Sequence, residues 1–215
     1  MPDYLGYAAV SVAGAIGLSV FLLTGRAAGT RPSPTRIISG AAVFCAVTAL
    51  SVFVLSRGCD IGETVCGTAL FWLLLVCADT DVRTGTIPVP ACLLIAAVFP
   101  VRIVFYLAEG GAAGAVFDHV FGGLAALAVS GVSGAVIRGG IGKGDIVLMT
   151  VYGLSAGFSG SVGALIISFA LTVLAGLFVL VSKKGNLKSS LPFAPFLFAG
   201  HTAAFGIVSF VTVIK

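Results

Sequence analysis

The sequence predicts an all-α membrane protein, a helical bundle that crosses the bilayer about eight times, with seven crossings as the alternative. Three observations carry this reading. Hydrophobic residues make up 59% of the 215 residues and charged residues only 9%, where an ordinary soluble domain carries about 25% charged residues. Apolar runs close to the roughly 20 residues that span a bilayer as a helix recur along the whole chain. The connectors between them are short and none is suited to fold as a soluble domain, so residues 1–215 read as one integral-membrane domain.

The first run, Leu5–Leu23, follows a start that carries Asp3 and no basic residue. Without a positive n-region it reads as a retained helix rather than a cleaved signal. A loop containing Pro, Gly and Ser, residues 24–36, leads to a second run at 37–56. The third run, 66–79, is short and ends on two acids, Asp79 and Asp81. Ile87-Pro88 restarts the chain into runs at 89–108 and 116–137. "RGGIGKGD" (Arg138–Asp145) then opens a run at 146–157. Turn formers in "SAGFSGSVG" (Ser155–Gly163) predict a tight turn before the next run, 161–182; without it the count is seven. The last run, 193–213, starts beside Pro192 and Pro195, in the first turn, where a helix tolerates proline.

The charges sort by side. If the first connector lies inside, the inner connectors hold Arg26, Arg31, Arg36, Arg83, Arg138, Lys143, Lys183, Lys184 and Lys188, leaving Arg57, Arg102 and Lys215 outside. Lys and Arg are retained on the cytoplasmic side, so eight crossings put both termini outside. Asp3, Asp60, Glu63, Glu109 and Asp118 also fall outside, while Asp79, Asp81 and Asp145 fall at the inner face of the plasma membrane. The net charge of +4 is scattered and forms no basic run suited to nucleic acid. The five cysteines lack metal-ligand spacing, and no metal or organic cofactor is expected. Cys59 and Cys66 flank an outer loop, where a disulfide and two free thiols are both open. Cys45, Cys77 and Cys92 read as small apolar core residues.

An ionisable residue at the end of a membrane helix costs free energy and marks a pathway, a partner or a site. Asp81 closes the third run and Asp145 opens the sixth, and Gly142 and Gly144 allow another helix to approach closely. Two facing carboxyls do not readily lose both protons. One acid and one base result, the arrangement with which aspartic proteases activate water. The dipoles of their own helices favour the anion at Asp145 and disfavour it at Asp81, which assigns the base to Asp145. A glycine-rich junction with a capping aspartate explains Asp145 alone, but not its coincidence with Asp81. A phosphate-binding loop is excluded, because Ile137 stands where it needs Gly and Gly144 where it needs Ser or Thr. Asp79 lies about half a turn from Asp81 and reads as an interfacial residue with Arg83 as its partner.

Three segments carry a resemblance. "DVRTGTIP" (Asp81–Pro88), "GKGD" (Gly142–Asp145) and "LPFAPFLFAG" (Leu191–Gly200) resemble, in order, the motifs of the type IV prepilin and preflagellin peptidases, intramembrane aspartic peptidases of the GxGD type. The likeness covers residues from about 70 to 205, and the helices at 5–56 match least. It implies Asp81 and Asp145 as the catalytic pair, with Ile87, Pro88, Gly142, Gly144, Pro192, Phe193 and Pro195 supporting the site. It implies removal of a short basic leader from prepilin-like precursors at the cytoplasmic face. Larger relatives add a CxxC-bearing domain and methylate the product; no CxxC stands here, so a peptidase without methyltransferase activity is expected.

Two departures fall beside the aspartates. Val89 stands where the family has Asn, and Val147 where it has Lys, which changes local hydrogen bonding and substrate contacts. Arg138 and Lys143 read first as partners of lipid headgroups and second as contacts to the substrate. His201 and Asp79 are lesser candidates for substrate contact. Oligomeric state stays open. The alternatives are a presenilin-type or signal-peptide-peptidase-type protease, a proton-coupled transporter, and a silent assembly subunit. The first carries Tyr before the aspartate and a Pro-Ala-Leu motif, where this chain has Thr80 and Pro-Phe-Ala-Pro. The second places its acids near the midplane of paired halves, and no internal repeat is evident.

Overall fold

The computed structural model describes Ala49 and residues 61–108, 110, 114–136, 141–182 and 191–214, with side chains as far as residue 204. The predicted helices at 5–23 and 37–56 lie outside the described residues, as do Arg138, Lys183, Lys184 and Lys188. The described residues form five helices and no strand. These are α1 (Ile61–Thr84), α2 (Val89–Ala108), α3 (Gly114–Val136), α4 (Lys143–Val181) and α5 (Ala194–Ile214). The first four are long and apolar enough to cross a membrane.

α1 is longer than the expected run at 66–79. The polar stretch after residue 79 ends that run in hydropathy, but a helix satisfies its threonines internally: Thr80 Oγ1 donates to the Val76 carbonyl at 2.9 Å and Thr84 Oγ1 to the Thr80 carbonyl at 2.8 Å. α1 ends where Gly85 takes a positive φ of 64° and its N–H donates to the Asp81 carbonyl at 2.8 Å. This left-handed glycine cap stops the helix one turn after Asp81. Three residues after Gly85 the Pro88 carbonyl accepts the N–H groups of Ala91 and Cys92 and starts α2. α1 and α2 form a hairpin, closed at its far end by an ion pair of 2.8 Å between Arg102 and Glu63.

α3 lies against the first arm of α4. Gly122 and Gly153 face each other so closely that a Cβ on either would strike the other's backbone, and Gly123 sits on Leu154. Small residues permit this approach, the usual way for helices to pack without a hydrophobic drive out of lipid. The opposite face of α3 exposes Phe117, Phe121, Leu124, Val129 and Val132, as a lipid-facing helix does.

α4 consists of two helical arms joined at a kink. Gly157 interrupts it at φ 76°, ψ 168°, inside the segment expected to turn. A straight helix would hold Asp145 and Phe169 about 36 Å apart. Both instead meet the same end of α5: Asp145 senses the charge of Asp81, whose carboxylate binds the Ala194 N–H, and Phe169 packs on Phe193 with ring centroids 5.5 Å apart. The chain therefore doubles back at Gly157. Asp118 of α3 receives the restart, accepting from Ser159 N–H at 3.4 Å and from its hydroxyl at 3.3 Å. α1 runs through the middle of the described bundle, with Leu70, Leu74 and Cys77 in one buried cluster with Ile95, Leu148 and Leu197.

Candidate active site

Asp81 is 7% exposed, deep for a carboxylate one turn from a helix end. Its Oδ2 accepts a 3.1 Å hydrogen bond from the backbone N–H of Ala194. Ala194 is the first residue of α5, and first-turn N–H groups have no partner within their own helix. The proline-rich sequence sharpens this. Pro195 has no N–H to offer, and the Phe196 N–H already donates to the Phe193 carbonyl at 3.0 Å. The third segment thus presents Ala194 as a donor, and Asp81 occupies it. Sequence reasoning passed over Ala194 because its side chain is inert. The signal was there in the two flanking prolines, which leave few free N–H groups at that helix start.

Asp145 is the third residue of α4. Its carboxylate turns back to the backbone N–H of Gly142, the residue that caps the helix. This is the acidic half of a capping box. A Cβ at Gly142 would lie 3.0 Å from Asp145 Oδ2, so glycine there leaves the carboxylate its position. A Cβ at Gly144 would lie 3.6 Å from the Ile87 side chain, in ordinary contact. The second segment therefore lies beside Ile87 of the first, and Asp145 is within electrostatic reach of Asp81.

The three sequence segments thus converge at one end of the bundle. The dipole argument that gave the anion to Asp145 looked only at each aspartate's own helix. Asp81 ends α1 but also sits at the N-terminus of α5, so both carboxylates face positive helix ends. The dipoles therefore do not single out one of them as the base. Such a pair can share one proton and hold a water between a base and an acid.

The remaining expected residues fall around this centre or away from it. Phe193 is buried against Phe169 and anchors the start of α5, while Pro192 is half-buried beside it. Lys143 is exposed at the first turn of α4. Asp79 pairs with Arg83 at 2.8 Å, one turn apart on α1. Val89 and Val147, the two departures from the family pattern, are 68% and 50% exposed. His201 is buried with Nδ1 3.1 Å from the Tyr152 hydroxyl and Nε2 3.3 Å from the Gly67 carbonyl. Those partners lie well away from the aspartates, so His201 does not join them. Cys77 packs one turn below Asp81, and Cys66, Cys77 and Cys92 are buried. Cys59 lies outside the described residues. Among the described residues no group of three or more His, Cys, Asp or Glu gathers as a metal site.

A model of the type IV leader peptidase family matches residues 68–181, more than half of the chain, from α1 through the second arm of α4. No curated protein and no solved structure matches the sequence.

Proposed function

The chain belongs to the type IV leader peptidase family, and from that premise we propose that it is an aspartic endopeptidase with Asp81 and Asp145 as its catalytic pair. Its substrates are prepilin-like or preflagellin-like precursors, whose short basic leader it removes at the cytoplasmic face of the plasma membrane. In this reading the two helices before residue 61 and the two arms of α4 bring the total to eight crossings. One observation supports the proposal: three distant segments gather at one pair of carboxyls, with Gly144 beside Ile87 and the Ala194 N–H bonded to Asp81.

Water is the nucleophile. One carboxylate takes a proton from it as its oxygen bonds to the scissile carbonyl carbon, and the partner carboxylic acid gives its proton to the carbonyl oxygen. The resulting diol collapses when the carbon–nitrogen bond breaks. The amine leaves with the proton that the first carboxyl gained, and the second recovers its own from the diol. The pair ends as it began, with one proton. The Ala194 N–H holds Asp81 in place by a bond to a fixed helix end, which limits reorganisation during the reaction. Val82, Val89 and Val147 are exposed around the pair and give an apolar surface for the precursor's hydrophobic helix.

The test is co-expression of the full chain with a prepilin-like precursor, scoring leader loss by gel mobility. Asp81→Asn and Asp145→Asn should each abolish processing, and Asp79→Asn should leave it intact. Processing that survives in either of the first two overturns the assignment.

A further inference from the structure

At the end of the bundle away from the aspartates lies a cavity of about 240 Å³ between α1, α2, α4 and α5. Most of its wall is apolar, with Leu70, Ala156 and Ile167 among the lining residues. One side is polar and holds Arg102 and Glu63. Arg102 is 8% exposed, on a membrane helix, and carries a guanidinium with five N–H donors and no acceptor. Its guanidinium gives one η nitrogen to Glu63 at 2.8 Å and lies 5.9 Å from the centroid of the Tyr106 ring. Its Nε is buried and has no hydrogen-bond partner among the described residues.

A buried charged donor without an acceptor is costly. Glu63 does not remove the cost. Its side chain is 53% exposed, so solvent screens its charge, while the guanidinium stays buried. Water in the cavity would hydrate the Arg102 side chain that lines it but would leave the apolar remainder wetted. A ligand that matches both parts has an oxygen acceptor at one end and a hydrocarbon chain at the other. We propose that this cavity is a lipid site. It holds an acyl chain along Leu70, Ala156 and Ile167, with an oxyanion head on Arg102. The head is the phosphate of a phospholipid or the carboxylate of a fatty acid. The inference uses no residue of the catalytic pair and stands apart from the peptidase assignment.

The test is native mass spectrometry of the delipidated full chain in neutral maltoside micelles. Three probes are added separately: palmitate, palmitoyl lysophosphatidylglycerol and monopalmitoylglycerol. A one-to-one adduct with either of the first two, at least tenfold more abundant than with the uncharged ester, is the expected result. The probe that binds identifies the source of the oxyanion. Arg102→Gln should bring the adduct down to the level of the ester. Because that variant also breaks the Glu63 pair, Gly163→Leu supplies an independent arm. Gly163 lines the cavity, and a Cβ there meets nothing within 4 Å, so the position has room to begin a side chain. It should lower the adduct while leaving processing of a precursor unchanged. Equal adducts with all three probes, no adduct with any, or an adduct indifferent to both substitutions overturns the proposal.

Discussion

The carboxylate of Asp81 and the backbone N–H of Ala194 meet at 3.1 Å across a separation of 113 residues. The bond is buried and ties the last turn of α1 to the first turn of α5. It gives Asp81 a structural task alongside the chemical one proposed for it. The two tasks depend on different properties of the side chain. Catalysis needs a group that exchanges a proton, whereas holding the Ala194 N–H needs only an oxygen acceptor.

Asp81→Asn and Asp81→Ala should therefore differ in stability though both are silent. Asparagine keeps a carbonyl oxygen for the Ala194 N–H. Alanine leaves a buried donor unpaired, a loss of about 1–3 kcal/mol. Thermal melts of the full chain in one detergent check this, with the alanine variant melting several degrees below the asparagine variant. Equal melting temperatures would mean that the bond contributes nothing.

The two glycines of "GKGD" should respond oppositely to alanine. At Gly144 the added methyl meets Ile87 at an ordinary 3.6 Å, so Gly144→Ala should fold and retain most activity. At Gly142 the methyl would sit 3.0 Å from Asp145 Oδ2 and push the carboxylate off its capping position. Gly142 has φ −67° and ψ 146°, which alanine also adopts, so the backbone is unaffected. Gly142→Ala should melt close to the parent yet lose precursor processing by at least tenfold, measured as initial rate of leader loss.

Breaking the Asp79–Arg83 pair should have little effect. The pair is one helical turn long and the Arg83 side chain is 47% exposed, and such pairs contribute about 0.5 kcal/mol or less. Arg83→Gln is the cleaner variant, since it removes the cation and leaves Asp79 in place. Its melting temperature and its processing rate should both stay near the parent values. A large loss of activity would move Arg83 into the reaction.

The parts of this architecture that were legible in the sequence are those set by local pattern. The spacing from Asp81 to Ile87-Pro88, the glycines before Asp145 and the turn formers around Gly157 each act within a few residues. The length of α1 was hidden because its threonines look polar in sequence but bond to their own helix. The Ala194 contact was hidden because its donor belongs to the backbone of a residue with an inert side chain. Glu63 and Arg102 read as separate outer charges, and only the α1–α2 hairpin makes them a pair lining a cavity. Asp81 at a foreign helix N-terminus is the same kind of fact. A dipole argument made within one helix does not reveal which other helix starts beside it.

The reversal of α4 supplies the last prediction. Gly157 holds φ 76° and ψ 168°, a region essentially restricted to glycine. A Cβ there would also strike the Asp118 carboxylate, which accepts the hydrogen bonds of Ser159 at the restart of the second arm. Gly157→Ala thus carries a backbone penalty of about 1–3 kcal/mol and displaces Asp118 as well. The substitution lies at the end of the first arm opposite Asp145, so it should lower the melting temperature and the yield of folded protein. The processing rate per folded molecule should stay nearly unchanged. Gly163→Ala, in the second arm with open space around it, is the control. Alanine is favoured over glycine inside a helix by about 1 kcal/mol, so that variant should melt at or above the parent. If Gly157→Ala melts like Gly163→Ala, α4 does not turn at Gly157.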